Sequence, residues 1–167
     1  MTLRIAADAA RALRLMAFDV DGVLTDGRLY YGPEGEQLKV FNTLDGHGLK
    51  KLAASGVTLA LITGRDTPMV ARRARELGIE HVIQGREDKG QALAELAGTL
   101  GISAEQTGYA GDDEPDVPAL RWARLTFAPA NAHACAREAA HHVTQARGGE
   151  GAVREICDAL LALRSAP

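Results

Sequence analysis

Short apolar runs alternate with amphipathic stretches along the chain. Residues 13–20 (LRLMAFDV) and 57–63 (VTLALIT) have the length and apolar content of strands that are covered on both faces. Three shorter strand candidates follow at residues 81–84, 107–110 and 125–128. The pattern therefore predicts a series of buried strands.

The amphipathic stretches between these strands predict helices with recognisable ends. One helix is predicted from an N-cap at Asp66 to Gly78, a second ends at Gly101, and a last one follows the Gly148–Gly149 break. Strands that alternate with helices of this length are joined by βαβ crossovers. We therefore predict an α/β fold with a doubly wound, Rossmann-like parallel sheet.

Residues 27–41 interrupt this alternation. A turn rich in Gly and Pro (GPEGE, 32–36) separates LYY from QLKVF, which predicts a β-hairpin. The hairpin carries more apolar surface than an isolated pair of strands can bury. It must therefore pack against its own sheet or against a neighbouring subunit, and the sequence leaves both open.

Composition and charge narrow the class of protein. The 167 residues suit one domain (1–167), and 46% apolar with 25% charged residues is an ordinary folded composition. A net charge of −3 argues against a nucleic-acid partner, and no apolar run approaches the roughly 18 residues of a membrane span. We find no signal peptide pattern at the N-terminus, so the cytoplasm is the expected location.

Polar residues follow several of the predicted strands. Ligands of open α/β sheets bind at the carboxyl ends of the strands, so residues at these ends are candidates for chemistry. The candidates delivered there are Asp19, Asp21, Thr63, Lys89 and Asp112. Each is weak evidence alone, because Asp and Thr are common where strands enter turns. Their conjunction in this order is specific.

The two aspartates after the first strand suit phosphoryl transfer. A spacing of two residues places Asp19 and Asp21 on one side of an extended chain. Asp19 is the predicted nucleophile and Asp21 the predicted general acid and base. Clustered carboxylates require a hard cation, so we predict Mg²⁺ held by Asp19, the Asp21 backbone carbonyl and Asp112. Thr63 and Lys89 are predicted to bind the phosphate.

The sequence also resembles a known family. DVDGVLTDG, LITGR, Lys89 and GDDEPD are similar to the four motifs of the haloacid dehalogenase superfamily of phosphatases. From about residue 14 to residue 163 the chain resembles a capless branch that dephosphorylates an eight-carbon keto-sugar acid 8-phosphate in lipopolysaccharide precursor synthesis. The resemblance implies a haloacid dehalogenase-like fold with a β-hairpin flap (27–41).

The spacing of the motifs independently favours the capless branch. About 40 positions separate Asp21 from Thr63, enough for the hairpin and one helix, and 26 separate Thr63 from Lys89. Neither interval has room for a separate cap domain, so another part of the protein must cover the site.

The resemblance implies further roles, residue by residue. Asp113 and Asp116 would support the metal ligand Asp112, and Gly64 would join the phosphate-binding residues. Arg65 would contact the carboxylate of the substrate, a role that suits its planar guanidinium group. The family resemblance also implies a homotetramer in which hairpins of neighbouring subunits help close each site.

Three other interpretations compete with this one. A phosphatase of a nine-carbon keto-sugar acid 9-phosphate is less favoured, because such relatives tend to have Glu at the position of Arg65. A non-catalytic, tetramer-forming domain of the same fold is disfavoured by the complete set of polar residues. A signalling receiver domain would carry its phosphorylated Asp after the third strand, where this chain has Gln84-Gly85.

Overall fold

A six-stranded parallel sheet forms the centre of the protein in a computed structural model, which describes residues 5–165. The strands are β1 (Leu15–Phe18), β2 (Tyr30–Gly32), β3 (Gly35–Leu38), β4 (Thr58–Ile62), β5 (His81–Ile83), β6 (Thr107–Ala110), β7 (Leu125–Ala128) and β8 (His142–Val143). The helices are α1 (Ala7–Ala12), α2 (Thr43–Ala54), α3 (Pro68–Leu77), α4 (Lys89–Thr99), α5 (Val117–Trp122), α6 (Ala134–Ala139) and α7 (Ala152–Arg164). The sheet order is β5-β4-β1-β6-β7-β8.

The sheet is covered on both faces. Along β1, Leu15 and Ala17 face one side while Met16 and Phe18 face the other, and all four are fully buried. Helices α1, α2, α3 and α7 pack on the side of Met16, and α4, α5 and α6 pack on the side of Leu15. The predicted doubly wound parallel α/β sheet is thus confirmed. No helix within residues 5–165 combines the length and apolarity needed to cross a bilayer.

The predicted hairpin is formed by β2 and β3, which pair antiparallel with a register shift between Tyr30 and Tyr31. We call residues 27–41 the flap. At its base Phe41 packs against the core, and the Arg73 guanidinium lies 5.7 Å from the centre of its ring. Several apolar side chains of the flap remain exposed; they are Leu29, Tyr30, Tyr31, Leu38 and Val40.

No cap domain interrupts the described chain. Between the first and third motifs lie only the flap, α2, β4, α3 and β5. Within residues 5–165, no separate domain therefore encloses the carboxyl edge of the sheet.

The predicted N-cap of α3 is wrong by one residue. Thr67, and not Asp66, accepts a hydrogen bond from the Val70 N–H through its hydroxyl oxygen (3.4 Å). The reason is Pro68, which has no N–H and a fixed φ, and therefore occupies the first helical position directly after the cap.

Candidate active site

The carboxyl ends of β1, β4 and β6 lie side by side at one edge of the sheet. Asp19 directly follows β1, and its N–H donates to the Ala110 carbonyl (2.9 Å). Thr63 directly follows β4, and its N–H donates to the Ile83 carbonyl (2.9 Å). These bonds extend the ladder and fix both residues at the floor of a cleft of about 320 Å³. The cleft is lined by Asp19, Asp21, Gly27, Leu29, Thr63, Gly64, Arg65, Glu87, Lys89, Asp112, Asp113, Pro115 and Asp116.

The loop after β1, residues 19–27 (the β1 loop), turns sharply at Gly22, where φ is +97°. The Thr25 hydroxyl oxygen accepts hydrogen bonds from the N–H groups of Gly22 (3.3 Å) and Gly27 (3.2 Å). A side chain at position 22 would also overlap the carboxylate of Asp112. Gly22 is therefore required both by its backbone conformation and by the close approach of an acidic group.

A glycine pair from the far end of the chain packs against the β1 loop. The Gly149 N–H donates to the Val23 carbonyl (3.1 Å), and the Gly148 N–H donates to Asn131 Oδ1 (2.8 Å). A side chain at position 148 would overlap the carbonyl oxygen of Gly22. The break before the last helix therefore also shapes the loop that carries the two predicted catalytic aspartates.

A buried lysine lies among acidic groups at the centre of the cleft. Lys89 Nζ is 2.8 Å from Asp19 Oδ1 and 2.8 Å from Asp116 Oδ1. Lys89 and Asp19 are buried, and Asp116 is fully so. Carboxylate oxygens of Asp19, Asp112 and Asp116 all lie within 4.8 Å of one another. Three carboxylates thus face one ammonium group, which leaves an excess of negative charge.

The four acceptor sites of the Asp116 carboxylate are already used. Its Oδ1 accepts hydrogen bonds from Lys89 Nζ (2.8 Å) and from the Tyr109 hydroxyl (2.7 Å). Its Oδ2 accepts the N–H groups of Asp112 (2.9 Å) and Asp113 (3.1 Å). A carboxylate has about four such sites, so Asp116 has no remaining capacity for a cation. Of the three acidic groups, Asp19 and Asp112 are the ones left to bind a metal.

Burial and electrostatic interactions shift the pKa values of these groups. Burial, followed by the charge of Asp116, raises the pKa of Asp19 well above its usual value, and Lys89 only partly offsets this. Burial is also the main reason that the pKa of Asp112 is raised to about 6. Burial alone would lower the pKa of Lys89, but the charges of Asp19 and Asp116 outweigh it and raise that pKa. A site with crowded carboxyl groups and raised pKa values attracts a divalent cation.

The donor atoms at the site are of the kind that Mg²⁺ prefers. They are carboxylate oxygens of Asp19 and Asp112, and the negative charge around them exceeds the positive charge. The residues therefore fit a hard divalent cation.

Asp113, predicted to support this centre, is exposed. Its side chain accepts the Glu114 N–H (2.8 Å), so it begins the 3₁₀ turn Glu114–Asp116.

The residues after β4 form another wall of the cleft. The Thr63 side chain is buried, and its hydroxyl oxygen accepts the Arg65 N–H (3.3 Å). A side chain at Gly64 would overlap the Glu87 carboxylate. Glu87 was missed in the sequence, because it lies in a loop two residues before Lys89 and belongs to no recognisable motif.

Arg65 links the cleft to the flap. Its guanidinium donates a hydrogen bond to the Tyr31 hydroxyl (3.0 Å) and lies 3.7 Å from Glu36 Oε2. Its side chain remains 38% exposed, so it is accessible to a ligand that enters the cleft. This position at the mouth suits a contact with an anionic group of a substrate.

Lys39 is a second residue near the site that no sequence pattern indicates. Its ammonium group is 2.5 Å from Asp21 Oδ1 and 2.8 Å from Glu36 Oε1, and only 1% of its side chain is exposed. The available signal was weak, since a lysine within a predicted hairpin is usually solvated. Its spacing of three from Glu36 was the only hint of a pair.

Comparisons with known proteins agree with this geometry. A family model described as haloacid dehalogenase-like hydrolase matches residues 81–156. A 3-deoxy-D-manno-octulosonate 8-phosphate phosphatase from Yersinia pestis is 46% identical over 152 residues, which make up 91% of this chain and 81% of the relative.

Solved structures extend the likeness to three dimensions. A 3-deoxy-D-manno-octulosonate 8-phosphate phosphatase from Moraxella catarrhalis, in complex with magnesium ion, phosphate ion and KDO, superposes with a TM-score of 0.92 at 44% identity, covering 95% of this chain and 91% of that one. The cobalt-bound deoxy-D-mannose-octulosonate 8-phosphate phosphatase from Haemophilus influenzae gives 0.91 at 39% identity, covering 93% and 91%. The fold, the arrangement of polar residues and these likenesses lead to one conclusion: the chain belongs to the haloacid dehalogenase-like hydrolases.

Proposed function

We propose that the protein is a magnesium-dependent phosphatase that hydrolyses 3-deoxy-D-manno-octulosonate 8-phosphate to the free sugar acid and phosphate, a step in lipopolysaccharide precursor synthesis. The observation that carries the proposal is the cluster of buried Asp19 and Lys89 with half-buried Asp112 at the carboxyl edge of the sheet. The relatives that bear this activity in their names are similar over most of the chain. We propose that residues 1–167 act as one catalytic domain.

In the first step, the Asp19 carboxylate attacks the phosphorus atom, and the bond between phosphorus and the sugar oxygen breaks. Asp21 donates a proton to the departing alkoxide, so that the sugar acid leaves as an alcohol. Lys89, Thr63 and the backbone at Gly64 hold the phosphoryl oxygens during the transfer. The product of this step is a phosphorylated Asp19.

In the second step, water attacks the phosphorus atom of the phosphorylated Asp19. Asp21, now a carboxylate, accepts a proton from this water. The bond between phosphorus and the Asp19 oxygen breaks, inorganic phosphate is released, and Asp19 returns as a carboxylate. One water is consumed for each ester that is cleaved.

Magnesium would be held by the carboxylates of Asp19 and Asp112 and by the backbone carbonyl of Asp21. When bound, it neutralises charge on the phosphate and on these acidic groups, which otherwise repel the substrate. Asp116 positions Lys89 and the backbone N–H of Asp112 through the hydrogen bonds described above. Asp113 contributes by starting the adjacent turn.

Arg65 is assigned to bind the carboxylate of the substrate, because its guanidinium can bind a carboxylate through two parallel hydrogen bonds.

We further propose that the protein is a cytoplasmic homotetramer, in which the flap of one subunit helps to cover the site of another. The exposed apolar side chains of the flap, which include Tyr31 at 64% exposure, support this arrangement. No nucleic acid or membrane partner is proposed.

Phosphate release from a panel of sugar-acid phosphates tests the activity. We expect the eight-carbon 8-phosphate to be cleaved faster than a nine-carbon 9-phosphate, and expect EDTA to stop turnover until Mg²⁺ is restored. Asp19→Asn should abolish turnover of every ester, because an amide is a poor nucleophile. Activity that persists in the purified Asp19→Asn protein, free of the unchanged enzyme, would remove Asp19 from its role.

A further inference from the structure

In the flap, a buried lysine lies between two exposed apolar residues. Leu38 and Val40 are about half exposed (50% and 51%), whereas Lys39 between them is buried (8%). This reverses the usual arrangement, in which apolar side chains face the protein and charged ones face water. Such local reversals in natural proteins are expected at functional positions.

Stability alone gives a poor account of the buried lysine. Removing an ammonium group and two carboxylates from water costs free energy, and apolar residues of similar volume often give an equal or more stable protein. Here Lys39 is shared between Asp21 (2.5 Å) and Glu36 (2.8 Å), both of which have side chains no more than 19% exposed. What the lysine determines is the orientation of a carboxyl group at the cleft.

The two oxygens of that carboxyl group are in different environments. Asp21 Oδ1 accepts the hydrogen bond from Lys39, whereas Oδ2 is buried and has no hydrogen-bond partner within the described part of the chain. Asp21 lines the cleft, and Oδ2, the oxygen that Lys39 does not bind, keeps its acceptor sites free for a proton. Rotation of the carboxyl group, which would exchange the two oxygens, is opposed by the lysine.

We propose that Lys39 is a positioning residue that holds the Asp21 carboxyl group so that Oδ2 is directed at the leaving-group oxygen. This inference rests on the proposed phosphatase function. The lysine is itself held by Glu36, whose other oxygen lies 3.7 Å from Arg65. The orientation of the acid therefore depends on the flap being seated on the site, through the series Arg65, Glu36, Lys39 and Asp21.

Leaving-group dependence tests the proposal directly. An alkoxide leaves poorly without a proton, whereas p-nitrophenolate leaves without one, so only the alkyl ester requires a well-oriented acid. For Lys39→Met we expect kcat/KM to fall by about 100-fold with 3-deoxy-D-manno-octulosonate 8-phosphate and by less than about threefold with p-nitrophenyl phosphate. The ratio kcat/KM is used because it reports the first, ester-cleaving step.

Two further proteins control for folding and for loss of charge. Lys39→Met leaves two buried carboxylates without their cation, so the double variant Glu36→Gln/Lys39→Met removes one of those charges and should show the same selective loss. Lys51→Met deletes a half-exposed lysine that lies 3.3 Å from Asp158, and both esters should be cleaved as by the unchanged protein. Thermal unfolding of each protein verifies that it is folded.

The outcomes separate this inference from the function on which it rests. Equal losses with both esters, or undiminished cleavage of the alkyl ester by a folded Lys39 variant, would overturn the positioning role while leaving the phosphatase intact. If the unchanged protein cleaves neither ester in the presence of Mg²⁺, the proposed function itself fails.

Discussion

At the scale of single residues, the carboxyl group of Asp112 responds most directly to pH. Its pKa is raised to about 6, mainly by burial, while that of a carboxyl group in an unfolded chain is about 4. The folded, metal-free protein therefore favours protonated Asp112 as the pH falls through 6. A metal ion needs the carboxylate, so binding at low pH must displace a proton.

We accordingly expect the affinity for Mg²⁺ to be nearly constant above about pH 7 and to fall below pH 6, by about tenfold per pH unit for each proton displaced. The raised pKa of Asp19 would steepen this fall. Isothermal titration at several pH values, in buffers with different ionisation enthalpies, measures both the affinity and the protons released. An affinity that stays constant down to pH 5 would contradict the assignment of these two ligands.

Arg65 provides a second test at this scale. Hydrogen bonds to a charged group contribute about 1.5–3 kcal/mol, so Arg65→Ala should lower kcat/KM for the sugar-acid phosphate by about 10- to 100-fold. Hydrolysis of p-nitrophenyl phosphate, which has no carboxylate, should change much less. Arg72→Ala, which removes an exposed arginine paired with Glu76 on α3, is the matched control. Equal losses with both esters would remove Arg65 from recognition of the substrate's carboxylate.

The residues found from sequence and those missed differ in a physical way. Asp19, Thr63 and Asp112 follow strands whose ends must meet at one sheet edge, so their proximity could be predicted from the order of elements. Glu87 reaches the cleft from a loop, and Lys39 reaches the cleft residue Asp21 from the hairpin. Their positions depend on tertiary packing, which periodicity along the chain does not encode.

At the scale of elements, Asp45 connects two helices. It lies buried in the first turn of α2, yet its Oδ1 accepts the Arg154 N–H in the first turn of α7 (2.8 Å). The N-cap of α7 is Gly151, which has no side chain to offer. Asp45 therefore caps a helix that begins more than one hundred residues later in the sequence.

Asp45→Ala should therefore lower the free energy of unfolding by about 1–2 kcal/mol, the usual cost of losing a cap. Asp45→Asn, which keeps an acceptor oxygen, should cost less. Glu138→Ala, at an exposed carboxylate on α6, is expected to remain within about 0.5 kcal/mol of the unchanged protein. Urea unfolding followed by circular dichroism gives these values, and a loss at Asp45 no greater than at Glu138 would refute the cap.

The elements that escaped prediction are short or weakly patterned. Helices α1, α5 and α6 have six residues each and β8 has two, so none presents the repeated pattern by which an element is recognised. Helix α2 was anticipated between the flap and β4 but not located. Its two glycines lower helix propensity, and its position is decided by packing against α7.

At the scale of the whole molecule, the exposed apolar side chains of the flap predict self-association. Leu38→Glu or Val40→Glu places a charge on this surface and should dissociate the assembly into smaller species, because burying an unpaired charge at an interface is costly. Val143→Glu, at an exposed apolar residue of β8, is the control and should leave the assembly intact. Sedimentation velocity measures the sizes. A flap variant that keeps the assembly of the unchanged protein would place the subunit interface elsewhere.

The contact of Gly148 and Gly149 with the β1 loop has a consequence for how the protein is made. During synthesis, residues 19–27 leave the ribosome long before residues 148 and 149 do, yet the Val23 carbonyl receives its hydrogen bond from Gly149. A nascent chain that has already paired its first strands thus still lacks the support for this loop. We expect such a chain to gain hydrolytic competence only after residues 148 and 149 have left the ribosome, so that shorter nascent chains do not act on phosphate esters.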